Sequence, residues 1–140
     1  MISKELEAGV KARFERIPAY HALGVNILKL DDGYSKAQAR HDKRFDGVFE
    51  CFHGGMLMTI ADTCACIAVL TKTGPEATVT TTDMNIRFLA PCMTDVTAKC
   101  RVIKAGKTML PVEVNLYDSH GRHVAVAQVN YMCLSGMTGR

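Results

Sequence analysis

From Met56 to Leu70 nearly every residue is Met, Leu, Ile, Ala, Val, Cys or Thr, and none is Pro. The run is too long for an ordinary strand and shows no polar face. It predicts a helix that is apolar on all sides and therefore wrapped by other structure rather than laid on a surface. Gly54 and Gly55 open it, and Asp62, its only charge, sits in the middle. A carboxylate in that setting is costly unless it is paired, hydrogen-bonded or protonated.

The rest of the chain alternates in shorter periods. Leu6, Val10 and Phe14 stand at helical spacing among charges, which predicts a surface helix over 2–17 ended by Pro18. Residues 22–30 alternate and stop at Asp31-Asp32-Gly33, a hairpin signal that makes 34–40 the returning strand. Residues 44–52 form a loop into the glycine pair. Beyond the central helix, Lys72-Thr73-Gly74-Pro75 is a turn, and the β-branched stretch 79–88 is a strand that Pro91 ends. Strands over 95–104, 108–118 and 123–133 follow, with turns at 104–107 and 119–122. No repeat or linker interrupts the chain, so residues 1–140 are expected to form a single domain. The fold class is α+β, an antiparallel sheet curled around one long helix.

Composition narrows the functional classes. A chain of 140 residues, 48% apolar, is long enough for one substantial core. A net charge of +3 suits an anionic small ligand but falls short of a nucleic-acid footprint, and Trp is absent. Residues 1–7 are charged and lack the apolar core of a signal peptide. The acid at the centre of the long apolar run, with threonines to either side, argues against a membrane span. Cysteines 51, 64, 66, 92, 100 and 133 form no CxxC and no small secreted framework, so free thiols in a reducing cytoplasm are expected. His120 and His123 flank a turn without further ligands at metal-binding spacing, and no metal is expected.

Two features carry chemistry. A helix N-terminus leaves backbone N–H groups unpaired and favours negative charge, so Gly54 and Gly55 would let a carbonyl oxygen approach those donors. The same glycines also serve a merely steric role in a tight start to a crowded helix. Asp62 suits a general base or a nucleophile, and equally a structural acid bonded to nearby hydroxyls. Eight residues of helix separate Gly54 from Asp62 by about 12 Å, too far for both to act on one carbonyl carbon. Cooperation between them would require two chains about a two-fold axis.

His53-Gly54-Gly55, followed by Asp62 nine positions after the histidine, resembles the signature of hotdog-fold acyl-CoA thioesterases of the PaaI-like thioesterase superfamily. Asp83-Met84-Asn85-Ile86, Ala90-Pro91 and Lys104-x-Gly106-Lys107-Thr108 extend the match, which runs from about residue 17 to 133. The resemblance implies a hotdog fold, a homodimer with a continuous sheet, a dimer of dimers, and hydrolysis of acyl-CoA without a cofactor. By that resemblance Asp62 is the base or nucleophile, Gly54 donates to the thioester carbonyl with His53 beside it, and Thr81 positions the attacking water. Gly55, Phe88, Leu89, Ala90, Pro91, Cys92 and Met93, together with Lys104, Gly106, Lys107, Thr108 and Met109, would line the substrate and coenzyme A side. Arg87 and Arg101 are further candidates for its phosphates.

Two positions depart from the family pattern. Gly47 stands where an Asn or Gln is common, and Glu50 where Gly is common. A hotdog hydratase or dehydratase is the enzymatic alternative, but it commonly pairs such an Asp with a His five residues on, where this chain has Ile67. A non-catalytic acyl-CoA sensor is the alternative outside enzymes.

Overall fold

The computed structural model describes residues 1–134, so residues 135–140 of the expected domain lie outside it. In chain order the elements are α1 (Lys4–Glu15), α2 (Pro18–Ala22), β1 (Val25–Asp31), β2 (Tyr34–Ala39), α3 (Gly54–Thr73), β3 (Val79–Phe88), β4 (Val96–Val102), β5 (Met109–Tyr117) and β6 (His123–Cys133). A short 3₁₀ turn, Lys43–Phe45, interrupts the loop before α3.

All six strands form one antiparallel sheet in the order β1-β2-β4-β5-β6-β3. α3 packs across its concave face against β2, β4, β5 and β6. The alternation of the strands explains this: Val96, Ala98 and Cys100 of β4, and Val112, Val114 and Leu116 of β5, point inward and are buried. They meet Ile60, Cys64, Ile67 and Ala68 of α3, also buried. Ala37, Ala39 and Ala98 keep the neighbouring strands small where the helix crosses them. Buried polar groups on this surface are satisfied: Ser35 Oγ donates to the Cys64 carbonyl at 3.0 Å, and the Gly33 N–H donates to Thr71 Oγ1 at 2.8 Å.

Two sequence expectations are corrected. Pro18 does more than end the first helix. α1 stops at Glu15, and Pro18 opens α2, where its missing N–H costs nothing at the first helical position. The first strand accordingly begins at Val25 rather than residue 22, after Gly24 turns the chain at φ +63°. β3 does not pair with β4, its neighbour in sequence. It crosses to the far edge and pairs with β6, leaving β1 and β3 as the two edges.

The second correction concerns α3, which the chain does not cover on every side. Gly55 and Thr59 are exposed, and Met58, Asp62, Thr63 and Cys66 are half-buried. The hydroxyls on this stripe are turned inward: Thr59 Oγ1 donates to the Gly55 carbonyl at 2.9 Å, and Thr63 Oγ1 to the Thr59 carbonyl at 2.8 Å. Hydroxyl groups satisfied by their own helix do not call for water, so the stripe stays apolar in character despite its threonines.

Candidate functional site

The mouth of α3 is built by the loop before it. His53 is the N-cap residue, with extended backbone, and its Nδ1 accepts the Gly55 N–H at 2.9 Å. With Nδ1 accepting, the neutral ring carries its hydrogen on Nε2. The His53 N–H donates to the Phe45 carbonyl at 2.9 Å, and its carbonyl accepts the N–H groups of Met56 and Leu57. The Gly54 N–H has no acceptor among the described residues. A free donor at a helix N-terminus is of the kind that can bind an anion or a carbonyl oxygen. A Cβ at Gly54 would lie 3.1 Å from Phe88 Cζ, and one at Gly55 would lie 3.1 Å from His53 Nδ1. At both positions a side-chain ring would have to give by a few tenths of an ångström to admit a Cβ, so glycine leaves the helix mouth uncrowded.

A cleft of about 480 Å³ opens beside Gly54, walled by Phe49, Phe52 and Leu57 and by Phe88, Leu89, Ala90, Pro91 and Cys92. Five of the six residues expected over 88–93 therefore meet the helix mouth. Met93 is not in the wall and is 58% exposed.

Asp62 lies elsewhere. Its Oδ1 accepts from Thr81 Oγ1 at 2.8 Å and from the Tyr131 hydroxyl at 2.7 Å. The Tyr131 hydroxyl also reaches the Asp62 backbone carbonyl. Oδ2 has no protein donor among the described residues. The carboxylate faces a separate pocket of about 210 Å³, walled by Phe14, Ile17, Ala19 and Tyr20 of the N-terminal helices together with Thr63, Cys66, Val79, Thr81 and Tyr131. Burial, then the charge of Asp62, pushes the Cys66 thiol up to about 12. Burial likewise holds the Tyr131 phenol far above its ordinary value, with Cys66 and Asp62 adding to the effect, so Tyr131 stays a hydrogen-bond donor.

One chain thus brings Asp62 to Thr81, and Gly54 to His53, Gly55 and residues 88–92, but it does not join the two groups. Their cavities share no lining residue. The hairpin of Lys104, Gly106, Lys107, Thr108 and Met109 belongs to the Asp62 end. Met109 pairs with Met132, which pairs with Thr80, and the Cys133 N–H donates to the Thr108 carbonyl at 2.7 Å. Seven residues of β3 separate Thr81 from Phe88, or about 23 Å at strand rise. Lys104 and Lys107 are exposed and form no ion pair among the described residues. Arg101 stacks over Tyr34 at 5.0 Å, and Arg87 sits exposed on the edge strand.

The family model of the thioesterase superfamily matches residues 49–125, more than half of the chain and the whole stretch from the helix mouth through β5. The chain belongs to the thioesterase superfamily. Among curated proteins it is 26% identical to the proofreading thioesterase EntH of Klebsiella pneumoniae over 123 residues, 87% of this chain and 89% of that one. Among solved structures it is similar to the E. coli PaaI protein from the phenylacetic acid degradation operon (TM-score 0.88, 20% identity, 96% of this chain and 97% of that one). It is also similar to a thioesterase family protein from Silicibacter pomeroyi (TM-score 0.85, 24% identity, 92% and 98%). The architecture is the hotdog fold. The coarse activity that goes with membership of this superfamily is thioester hydrolysis.

Against that thioesterase frame, the two departures acquire positions. Gly47 packs on His53, where a Cβ would meet its Cα and Cδ2 at 3.6 Å, so the side chain absent there would have adjoined the helix mouth. Glu50 is exposed and holds φ +58°, a left-handed conformation that glycine adopts freely. The residue that sequence reasoning missed is Tyr131. Its alternating strand pattern announced only a core position, and nothing in the sequence said that β6 would pair with β3 and set Tyr131 opposite Thr81.

Proposed function

We propose that this thioesterase-superfamily protein hydrolyses an acyl-CoA thioester at a site completed by two chains. The reading is carried by one observation: an unpartnered N–H at the mouth of α3 and a carboxylate about two turns along the same helix open into different cavities. An antiparallel pair of α3 helices would set the Gly54 of one chain before the Asp62 of the other. The uncovered stripe of α3 and the long edge strand β3 support this, since an apolar stripe and an open strand edge both favour a second copy.

In this scheme the Gly54 N–H takes the growing negative charge of the thioester oxygen. Asp62 Oδ2 either removes a proton from water as its oxygen bonds to the carbonyl carbon, or attacks that carbon itself. The carbon–sulfur bond then breaks, coenzyme A leaves as thiolate, and the acid remains; in the second route water hydrolyses the mixed anhydride and frees Asp62. The Lys104–Met109 hairpin of one chain and the 88–93 segment of its partner would flank the coenzyme A moiety. Ile67, fully buried in the core, leaves no histidine partner for Asp62 at the position a hydratase would use.

The test is free-thiol release from aryl, short and long acyl-CoAs by wild type, Asp62→Asn and Gly54→Pro. Proline fits the first helical position and follows His53 in an extended conformation (ψ 131°), so the helix is kept while the donor is removed, and Gly54→Ala, which sets the same Cβ against Phe88 but keeps the N–H, measures the cost of that crowding alone. Asp62→Asn and Gly54→Pro should each lose turnover alone. Co-refolded mixtures of the two should regain about a quarter of wild-type activity, because half the dimers are mixed and each holds one intact site. No regain would overturn the two-chain site, and no thiol release by wild type would overturn the activity.

A further inference from the structure

We infer that Tyr131 is a positioning residue for Asp62: with Thr81 it fixes Oδ1, so that Oδ2 is the oxygen presented to substrate and water. The inference rests on the thioesterase reading above. Two hydroxyl donors converge on one oxygen, at 2.8 and 2.7 Å, and none among the described residues reaches the other. The donors come from directly paired positions of adjacent strands, Thr81 on β3 and Tyr131 on β6, so the sheet itself sets their spacing. Tyr131 is 2% exposed and its ring is locked in the core, which makes its hydroxyl a fixed donor rather than a swinging one.

The phenol has one hydrogen, and its oxygen reaches both Oδ1 and the backbone carbonyl of Asp62. Sharing that hydrogen holds the side chain of Asp62 in one rotamer against its own helix. Donors to a carboxylate stabilise the charged form, the form that can take a proton or attack. The other titratable groups facing Asp62 are Cys66 one turn along α3 and Tyr20 of α2, which share its pocket, with Arg13 of α1 beyond Cys66. Cys66 is kept protonated at neutral pH by its burial. The hydroxyl pair is therefore the direct hydrogen-bonding control on the carboxylate.

The experiment compares Tyr131→Phe, Thr81→Val, the double variant and Asp62→Asn in one acyl-CoA hydrolysis assay, with kcat and KM measured separately. Tyr131→Phe should lower kcat about tenfold while KM changes less than threefold. Thr81→Val should act in the same direction, and the double variant should lose less than the product of the two, as expected of donors to a single oxygen. Site-specific 4-fluorophenylalanine at 131 keeps the ring and fills the place of the hydroxyl without donating, and should lose turnover in the same way; it decides the matter if the Phe variant does not fold.

A folded Tyr131→Phe with kcat within twofold of wild type, beside an inactive Asp62→Asn, would overturn the role of Tyr131 and leave the thioesterase reading intact. Full activity in Asp62→Asn would overturn both.

Discussion

Glu50 carries a backbone cost that a glycine at this position would not. Its φ of +58° places Cβ against the following carbonyl, and its side chain is exposed. Glu50→Gly should raise stability by about 0.5–1 kcal/mol after the greater chain entropy of glycine is subtracted, read as a rise in Tm of a few degrees. The sequence displayed the departure, but only the backbone shows why glycine belongs there. His53 works at the same scale. Its ring caps Gly55, so His53→Ala should cost about 1 kcal/mol in urea unfolding, the usual worth of an N-cap. Gly54 needs no such partner, and its free N–H is the more valuable for being at the start of a 20-residue helix.

At the scale of elements, the turn between β5 and β6 depends on Asp118. Its Oδ1 accepts the N–H groups of His120 and Arg122 at 2.9 and 2.8 Å, and the Arg122 guanidinium reaches Oδ2 at 3.2 Å. Burial pushes this carboxyl upward, but these donors and the guanidinium outweigh it and hold the group below the usual carboxylate range. A depressed carboxylate adds stability that is complete above the unfolded value near pH 4 and is lost as pH falls through the lower folded value. Acid unfolding of Asp118→Asn should therefore lose part of the pH dependence that wild type shows below about pH 4. The sequence presented this hairpin plainly through its Ser119–Arg122 turn. Along α3 the pattern was half informative. Composition announced a buried helix, but one stripe of it remains open, because threonines that bond their own helix read as apolar and polar at once.

At the scale of the whole molecule, the proposed site exists only as a pair of chains. Specific activity should fall on dilution in step with the loss of dimer measured by light scattering, and a fully active monomer would contradict the scheme. Periodicity along the chain determined which residues form strands and which form the long helix, since side-chain alternation and helical spacing are local properties. It also marked His53, Gly54 and Asp62, and their spacing along one helix already set them too far apart for a single chain. What only the tertiary structure decided was who stands beside whom. The crossing of β3 to the far edge of the sheet placed Thr81 against Tyr131, and the curl of the sheet brought both hydroxyls onto Asp62. Strand order is fixed by long-range packing of the whole core, so no local pattern of residues encodes it.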